Sequence, residues 1–209
     1  GKTTTIRILT GLVRPTGGHA WVAGIPLEQD RRRAARLIGY LPEEPAFYPW
    51  MTPHEFLDQV GRVFGLELRE RRRRADELIE LVDLGEAADR RIGGFSRGMR
   101  QRLGLAQALV NRPVALLLDE PVSSLDPAGR RDVLELIARL RGACTVFMST
   151  HVLADVERVC DTVGIIHRGR LIAEAPRDEL IARYAVPAFD LECVPGQEGR
   201  MAAWIERLG

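Results

Sequence analysis

The sequence predicts an α/β fold in which helices cover both faces of a parallel sheet, with a helical segment inserted into it. Three short apolar runs, at 38–42, 114–120 and 144–150, have the length and composition of buried strands. Segments with helical periodicity separate them, notably at 100–110 and 128–141. Because parallel strands need crossover helices that cover the sheet, this alternation favours a parallel sheet.

The first elements are expected to be a helix and a short strand. Apolar residues recur at helical spacing at positions 6, 9, 12 and 13, and the turn-forming sequence RPTGG stops the pattern. HAWVAG then has the pattern of a short strand, and RRRAARL that of a polar connector or helix.

A helical subdomain is predicted at about residues 50–104. The pattern is helical from 52 to 84, and GGFSRGM then interrupts it. The main domain is expected to end at about residue 182, after a hairpin in TVGIIHRGRLIAEA that turns at RG. Residues 183–209 would begin a small α/β appendage. Phe47 and Trp50, beside prolines at the start of the insertion, are expected to line a partner groove rather than the core.

Composition excludes several classes of protein. The 209 residues are 45% hydrophobic and 28% charged, which is typical of a globular chain, and the net charge of +1 gives no general attraction for nucleic acid. Three widely spaced cysteines, Cys144, Cys160 and Cys193, form no metal-binding pattern and indicate reduced thiols. No run reaches the roughly 18 apolar residues of a membrane span. A membrane, if one is involved, would be spanned by another chain.

The first residues suggest a phosphate site. Gly1, Lys2 and Thr3 match the end of the pattern G-x-x-x-x-G-K-[ST], in which backbone amides at a helix start cradle phosphates. Lys2 would reach the β- and γ-phosphates, Thr3 would ligate Mg²⁺, and Thr4 would contact the α-phosphate. Taken alone, this short string is as readily explained by coincidence.

A pair of acids follows the run of leucines at 116–118. A strand there would place Asp119 at the carboxyl edge of the sheet, where parallel α/β sheets bind ligands. Asp119 would hold Mg²⁺, and the adjacent Glu120 would polarise an attacking water. The alternative is a strand that simply ends in solvated acids.

Two further strings carry candidate site residues. His151 follows the apolar run FMST, where it would contact the γ-phosphate and Glu120, or else only precede a helix. Ser96 and Gly98, in FSRGM, offer a hydroxyl and open amides at a helix start, although a plain capping turn has the same composition.

Together these strings resemble the nucleotide-binding subunit of ABC transporters, from Gly1 to about Ala175. GKTTT is similar to the end of Walker A, FSRGM to the LSGGQ signature, LLLDEP to Walker B, SSLD to the D-loop and STH to the switch histidine. The resemblance implies a RecA-like P-loop NTPase core that binds ATP and Mg²⁺. LPEEPAFYPWMT and FSRGMRQRL are most similar to the exporter branch that serves drug, ion, lipid or polysaccharide efflux.

The resemblance also implies partners and an assembly. Two copies, identical or closely paralogous, would sandwich two ATP molecules, so that Ser96, Gly98 and the Asp126 turn of one copy face Lys2 of the other. The pair would drive a separate membrane permease from the cytoplasmic face of the cell membrane. A non-transport clamp on ribosomes or DNA is the alternative, although those proteins are usually paired cassettes with long arms or basic surfaces.

Three features depart from the family pattern. The sequence begins inside the phosphate loop, which suggests a fragment with weak ATP affinity. The signature carries Arg97 and Met99 where glycine and glutamine are usual. Glu43 occupies the loop position where glutamine is expected, so its role as a nucleotide-sensing residue is open.

Overall fold

The structure, a computed structural model, describes residues 1–123 and 125–184. Its internal contacts divide the chain into two units, Gly1–Arg177 and Asp178–Gly209. The sheet and the candidate site described below belong to the first unit. From residue 185 onward the predicted appendage, including Cys193, lies outside the described residues. A last helix, α8, spans Arg177–Tyr184.

The core of the first unit is a three-stranded parallel sheet, with the second of its strands along the chain in the centre. The prediction of an α/β fold with a parallel sheet is therefore confirmed. The central strand is the run of leucines that precedes the acid pair. Its strands are β3 (Ile38–Leu41), β4 (Ala115–Asp119) and β5 (Thr145–Ser149).

Both faces of β4 are buried. Successive side chains on a strand point to opposite faces, and those of β4 enter two different apolar clusters. Leu117 belongs to one apolar cluster, which also contains Ile6 of the first helix. Leu116 and Leu118 belong to a second and larger cluster. The layers are formed by α1 (Lys2–Leu9), β1 (Trp21–Val22), β2 (Ile25–Pro26), α2 (Arg31–Arg36), α5 (Arg97–Leu109), α6 (Pro127–Arg139) and α7 (Leu153–Val159).

The inserted segment consists of α3 (Pro53–Val63) and α4 (Leu68–Leu81), followed by 3₁₀ turns at Gly85–Ala87 and Ile92–Gly94. Its start is well defined, because Thr52 and Glu55 form a reciprocal capping box. Helix α5 continues to Leu109, so the predicted end of the subdomain at 104 falls inside a helix that also packs on β3.

An antiparallel hairpin follows α7, formed by β6 (Thr162–His167) and β7 (Arg170–Pro176). It turns at Arg168 and Gly169, both with positive φ, which confirms the predicted hairpin. Within the described residues, no helix is both long enough and apolar enough to cross a membrane.

Gly39 allows β3 to pack closely against α5. A Cβ at this position would lie 2.0 Å from the carbonyl oxygen of Ala108 and 2.9 Å from a methyl carbon of Leu116. We therefore expect Gly39→Ala to lower the free energy of unfolding by about 2 to 3 kcal/mol, measured by urea denaturation. Gly85→Ala is the matched control, since nothing lies within 4 Å of its Cβ position. Equal stability of the two variants would contradict this account of the packing.

Candidate functional site

The start of α1 lies beside the carboxyl ends of β4 and β5. Gly1 is the N-cap of this helix, and its carbonyl accepts hydrogen bonds from both the backbone and the hydroxyl of Thr5. The first turn of a helix leaves backbone amides without intrahelical partners and carries a partial positive charge. The location is therefore suited to an anion.

Asp119 is a buried carboxylate, 2% exposed, with two hydroxyl donors on the same oxygen. Thr3 donates to Oδ1 over 3.2 Å, and Ser149 donates to it over 2.7 Å. Ser149 lies directly opposite Asp119 in the β4–β5 register. These contacts compensate part of the cost of burying the charge, and they leave Thr3 and Asp119 as adjacent hard oxygen donors.

Glu120 is held by cationic and imidazole partners on its two oxygens. Lys2 Nζ donates to Oε1 over 3.0 Å, and His151 Nδ1 lies 2.9 Å from Oε2. Burial raises the pKa of Glu120, but the hydrogen bonds from His151 and Lys2 outweigh burial and hold the pKa below its usual value. The side chain is therefore an ionised carboxylate at neutral pH.

A turn of the backbone brings both acids to one site. Successive side chains on a strand would otherwise point to opposite faces. Glu120 has a φ of +48°, a left-handed conformation that is uncommon for a residue other than glycine. Its amide donates to the carbonyl of Ser149 over 3.1 Å and to the Ser149 hydroxyl over 3.2 Å, which supports this turn. Strained conformations of this kind concentrate at functional sites.

The loop after β5 completes the cluster. Lys2 Nζ donates to the carbonyl oxygen of Thr150 over 2.6 Å, so the ammonium bridges this loop and Glu120. The structure thus brings together Lys2, Thr3, Asp119, Glu120 and His151. The sequence analysis did not identify Ser149 and Thr150, whose roles depend on contacts with Asp119, Lys2 and Asp155.

The hydrogen bonds of the described residues join none of Thr4, Ser96, Gly98 and Asp126 to this cluster. Thr4 is exposed on α1. Ser96 caps α5 by accepting a hydrogen bond from the amide of Met99, and Gly98 follows in the first turn. Asp126 is the exposed N-cap residue of α6. Within the described part of the chain, the hydrogen bonds of Ser96 join it to its own helix and not to the Lys2–Glu120 cluster.

Glu43 lies on the wall of a cavity of about 440 Å³ that Glu120 also lines. Its Oε1 accepts a hydrogen bond from the hydroxyl of Ser123 over 3.3 Å, which links the loop after β3 to the loop after β4. Phe47 contributes to the wall and packs edge-to-face on Phe56, with ring centroids 5.1 Å apart. The cavity therefore extends from Glu120 to the loop at 43–49 and to the start of α5.

The oxygen atoms of Thr3 and Asp119 are ligands of the kind that Mg²⁺ binds in proteins. In residues 1–123 and 125–184 there is no group of three or more His, Cys, Asp or Glu side chains placed to hold a metal. Thr3 and Asp119 would supply only two hard oxygen ligands. Mg²⁺ is usually bound in this way, through one or two protein oxygens together with water and substrate phosphates.

The chain is similar to known proteins over most of its length. The family model described as ABC transporter matches residues 1–123. The uncharacterized ABC transporter ATP-binding protein YxlF of Bacillus subtilis (strain 168) is 46% identical over 206 residues, covering 99% of this chain and 67% of that protein. The bacitracin transport ATP-binding protein BcrA of Bacillus licheniformis is 40% identical over 185 residues, covering 88% of this chain and 60% of that protein.

A solved structure described as the ATP binding subunit of an ABC transporter superimposes with a TM-score of 0.77 at 28% identity. It covers 100% of this chain and 84% of the solved chain. The present chain spans between 54% and 67% of the length of the curated relatives it matches. The matched model covers more than half of the chain, and the YxlF alignment covers nearly all of it. The chain therefore belongs to the ATP-binding proteins of ABC transporters.

Proposed function

We propose that this chain is the ATP-hydrolysing subunit of an exporter, and that the cluster around Lys2 is one half of its active site. The proposal rests on one observation: at one edge of the sheet, the start of α1 brings Lys2 to Glu120 and Thr3 to Asp119. The two carboxylates have different partners, because Asp119 accepts from hydroxyls whereas Glu120 contacts Lys2 and His151. A buried, hydroxyl-bonded acid beside a second acid in contact with histidine fits phosphoryl transfer to water.

The residues would divide the work by their contacts. Lys2 would leave Glu120 and Thr150 to bind the β- and γ-phosphates, while Gly1 and Thr4 lie at the helix start that receives the phosphates. Thr3 and Asp119 would hold Mg²⁺, which supplies charge neutralisation at the phosphates. Loss of Lys2 from Glu120 would remove one of the groups that lower its pKa. Glu120 would then be the stronger base for a water that it orients.

His151 would fix the position of that base. Its Nδ1 lies 2.9 Å from Oε2 of Glu120, whereas Lys2 contacts the other oxygen, Oε1. The carboxylate would therefore keep one orienting contact when the phosphates draw Lys2 away. The His151 side chain is largely exposed, so its other ring nitrogen, Nε2, would be available to the γ-phosphate.

A second copy would complete the site. Ser96 and Gly98 lie at the start of α5, and Asp126 lies at the exposed start of α6. Within the described residues, no hydrogen bond joins them to the Lys2–Glu120 cluster. A helix start with a serine hydroxyl is suited to a phosphate. We infer that these two turns face the cluster of a partner chain, either identical or paralogous.

Export through a separate permease is the expected use of the hydrolysis. The relatives reported above are named for ABC transport, one of them for bacitracin transport, and none for ribosomes or DNA. We infer a place on the cytoplasmic face of the membrane, with the permease at the cavity near Glu43. Trp50, 59% exposed, and Tyr48, 50% exposed, form an aromatic pair on the nearby loop.

Phosphate release by the purified full-length protein tests the proposal. ATP should be hydrolysed in the presence of Mg²⁺, and EDTA should abolish the reaction. The same protein should bind ATP, as measured by calorimetry. A folded full-length protein that neither binds nor hydrolyses ATP would overturn the proposal. Transport by membranes containing the cognate permease then tests the coupling.

Glu43 is expected to affect coupling more than hydrolysis. A carboxylate can ligate Mg²⁺, but it also adds negative charge near a γ-phosphate, and the two effects oppose each other. Glu43→Gln should therefore change the ATPase rate by less than about tenfold. Glu43→Ala also loses the oxygen that accepts from Ser123, so it should lower transport per ATP. Both are measured in membranes with the permease, and Glu44→Ala is the control. Full coupling in Glu43→Ala would contradict this role.

A further inference from the structure

We propose that the ion pair between Arg130 and Asp155 is a positioning device for the loop that carries His151. Arg130 Nε donates to Oδ1 of Asp155 over 2.8 Å, and Nη2 donates to Oδ2 over 2.7 Å. This is the two-point geometry that a planar guanidinium forms with a carboxylate. The inference rests on the proposed function, because it concerns the order of the same hydrolytic site.

Asp155 is in the interior, 2% exposed, at the start of α7, and Arg130 is in the first turns of α6. The Arg130 side chain is 30% exposed, so the pair is only partly buried. Replacing even a fully buried ion pair by apolar groups is often neutral or stabilising, so the presence of this pair is weak evidence for a role in stability. The two-point geometry fixes the orientation of the Asp155 carboxylate, which also contacts the loop before α7.

The oriented segment is the loop from Thr150 to Val152. The Thr150 hydroxyl donates to Oδ2 of Asp155 over 3.3 Å and accepts a hydrogen bond from the amide of Val152 over 3.1 Å. His151 lies between these two residues. The ion pair thus holds the backbone on both sides of the histidine through one hydroxyl.

The same loop contacts two catalytic side chains of the proposed site. The Thr150 carbonyl accepts from Lys2 over 2.6 Å, and His151 lies 2.9 Å from Glu120. A continuous set of polar contacts therefore runs from Arg130 through Asp155 and Thr150 to the cluster. It begins one helical turn after Asp126, whose carbonyl accepts from the amide of Arg130.

A second ion pair joins the same two helices and provides a matched control. Arg158 of α7 donates to Glu135 of α6 over 2.8 Å. Both side chains are substantially exposed, 41% and 55%, and this pair does not contact the Thr150–Val152 loop. Removing it tests whether any contact between α6 and α7 affects the reaction.

The test compares Asp155→Asn and Arg130→Lys with Arg158→Ala in the full-length protein. Asp155→Asn keeps the size of the side chain but removes its charge, and Arg130→Lys keeps the charge but loses the two-point fork. We expect kcat to fall by about tenfold in Asp155→Asn and less in Arg130→Lys, with KM within about threefold. Arg158→Ala should stay within about twofold. Thermal melting of each variant shows that it is folded at the assay temperature.

A double-mutant cycle separates positioning from general stability. If Asp155 acts through the loop, Asp155→Asn should lower kcat in the parent but not further in a His151→Ala background. The inference would be overturned if Asp155→Asn lowered kcat in the His151→Ala background by the same factor as in the parent. It would also be overturned if Asp155→Asn kept the parental kcat, or if Arg158→Ala lowered kcat as much as Asp155→Asn does. If the parent protein hydrolyses ATP and one of these three results is found, the positioning role is wrong but the proposed function stands. If the folded parent protein neither binds nor hydrolyses ATP, both the positioning role and the proposed function are wrong.

Discussion

Glu120→Gln is expected to lower ATP turnover of the full-length protein by about 10²-fold or more while ATP affinity is retained. The amide has nearly the same shape as the carboxylate, and one of its atoms is still a hydrogen-bond acceptor for Lys2 or His151. It cannot accept a proton from water. Turnover is measured as phosphate release at saturating ATP, and affinity as calorimetric binding in the same buffer.

The variant should also accumulate as an ATP-bound dimer, because closure on nucleotide would no longer be followed by hydrolysis. Size-exclusion chromatography with and without ATP measures this. Glu135→Gln is the control, since Glu135 is a half-exposed acid on α6 that pairs only with Arg158 within the described residues. Near-parental hydrolysis by Glu120→Gln would show that another group is the base.

The α/β fold was predictable because its central elements have simple patterns. The leucines at 116–118 are buried on both faces of a central strand, and a continuous apolar run is what such a strand requires. The hairpin at the end of the first unit was equally clear from its turn. The end of the inserted subdomain was less predictable, because α5 is buried on more than one face and packs on both the inserted helices and β3.

The site was predictable in its residue types but not in its mutual contacts. If the strand continued, Asp119 and Glu120 would point to opposite faces, but β4 ends at Asp119 and Glu120 has a positive φ. No residue type in this stretch signals that conformation. Ser149 was missed because its role depends on the β4–β5 register, which a single sequence does not reveal.

Lys2 has a special position in the charge distribution of the protein. It is the only lysine among the 30 basic residues of the sequence, the others being arginine. An ammonium is compact and offers three donors in freely rotatable directions, whereas a guanidinium is planar and larger. Here Nζ contacts both Oε1 of Glu120 and the Thr150 carbonyl, which are 30 residues apart in sequence. The contact geometry at this point favours a compact cation.

Lys2→Ala is expected to weaken ATP binding by roughly 10- to 100-fold, since charge-assisted hydrogen bonds contribute about 1.5 to 3 kcal/mol each. Turnover should fall as well, because the β- and γ-phosphates would lose the ammonium that the proposed site gives them during phosphoryl transfer. Lys2→Arg should restore little, if the compact ammonium is what the site requires. Arg14→Ala removes one exposed positive charge after the same helix and is the control. Calorimetry on all four proteins measures the affinities, and parental ATP binding by Lys2→Ala would remove Lys2 from the phosphate site.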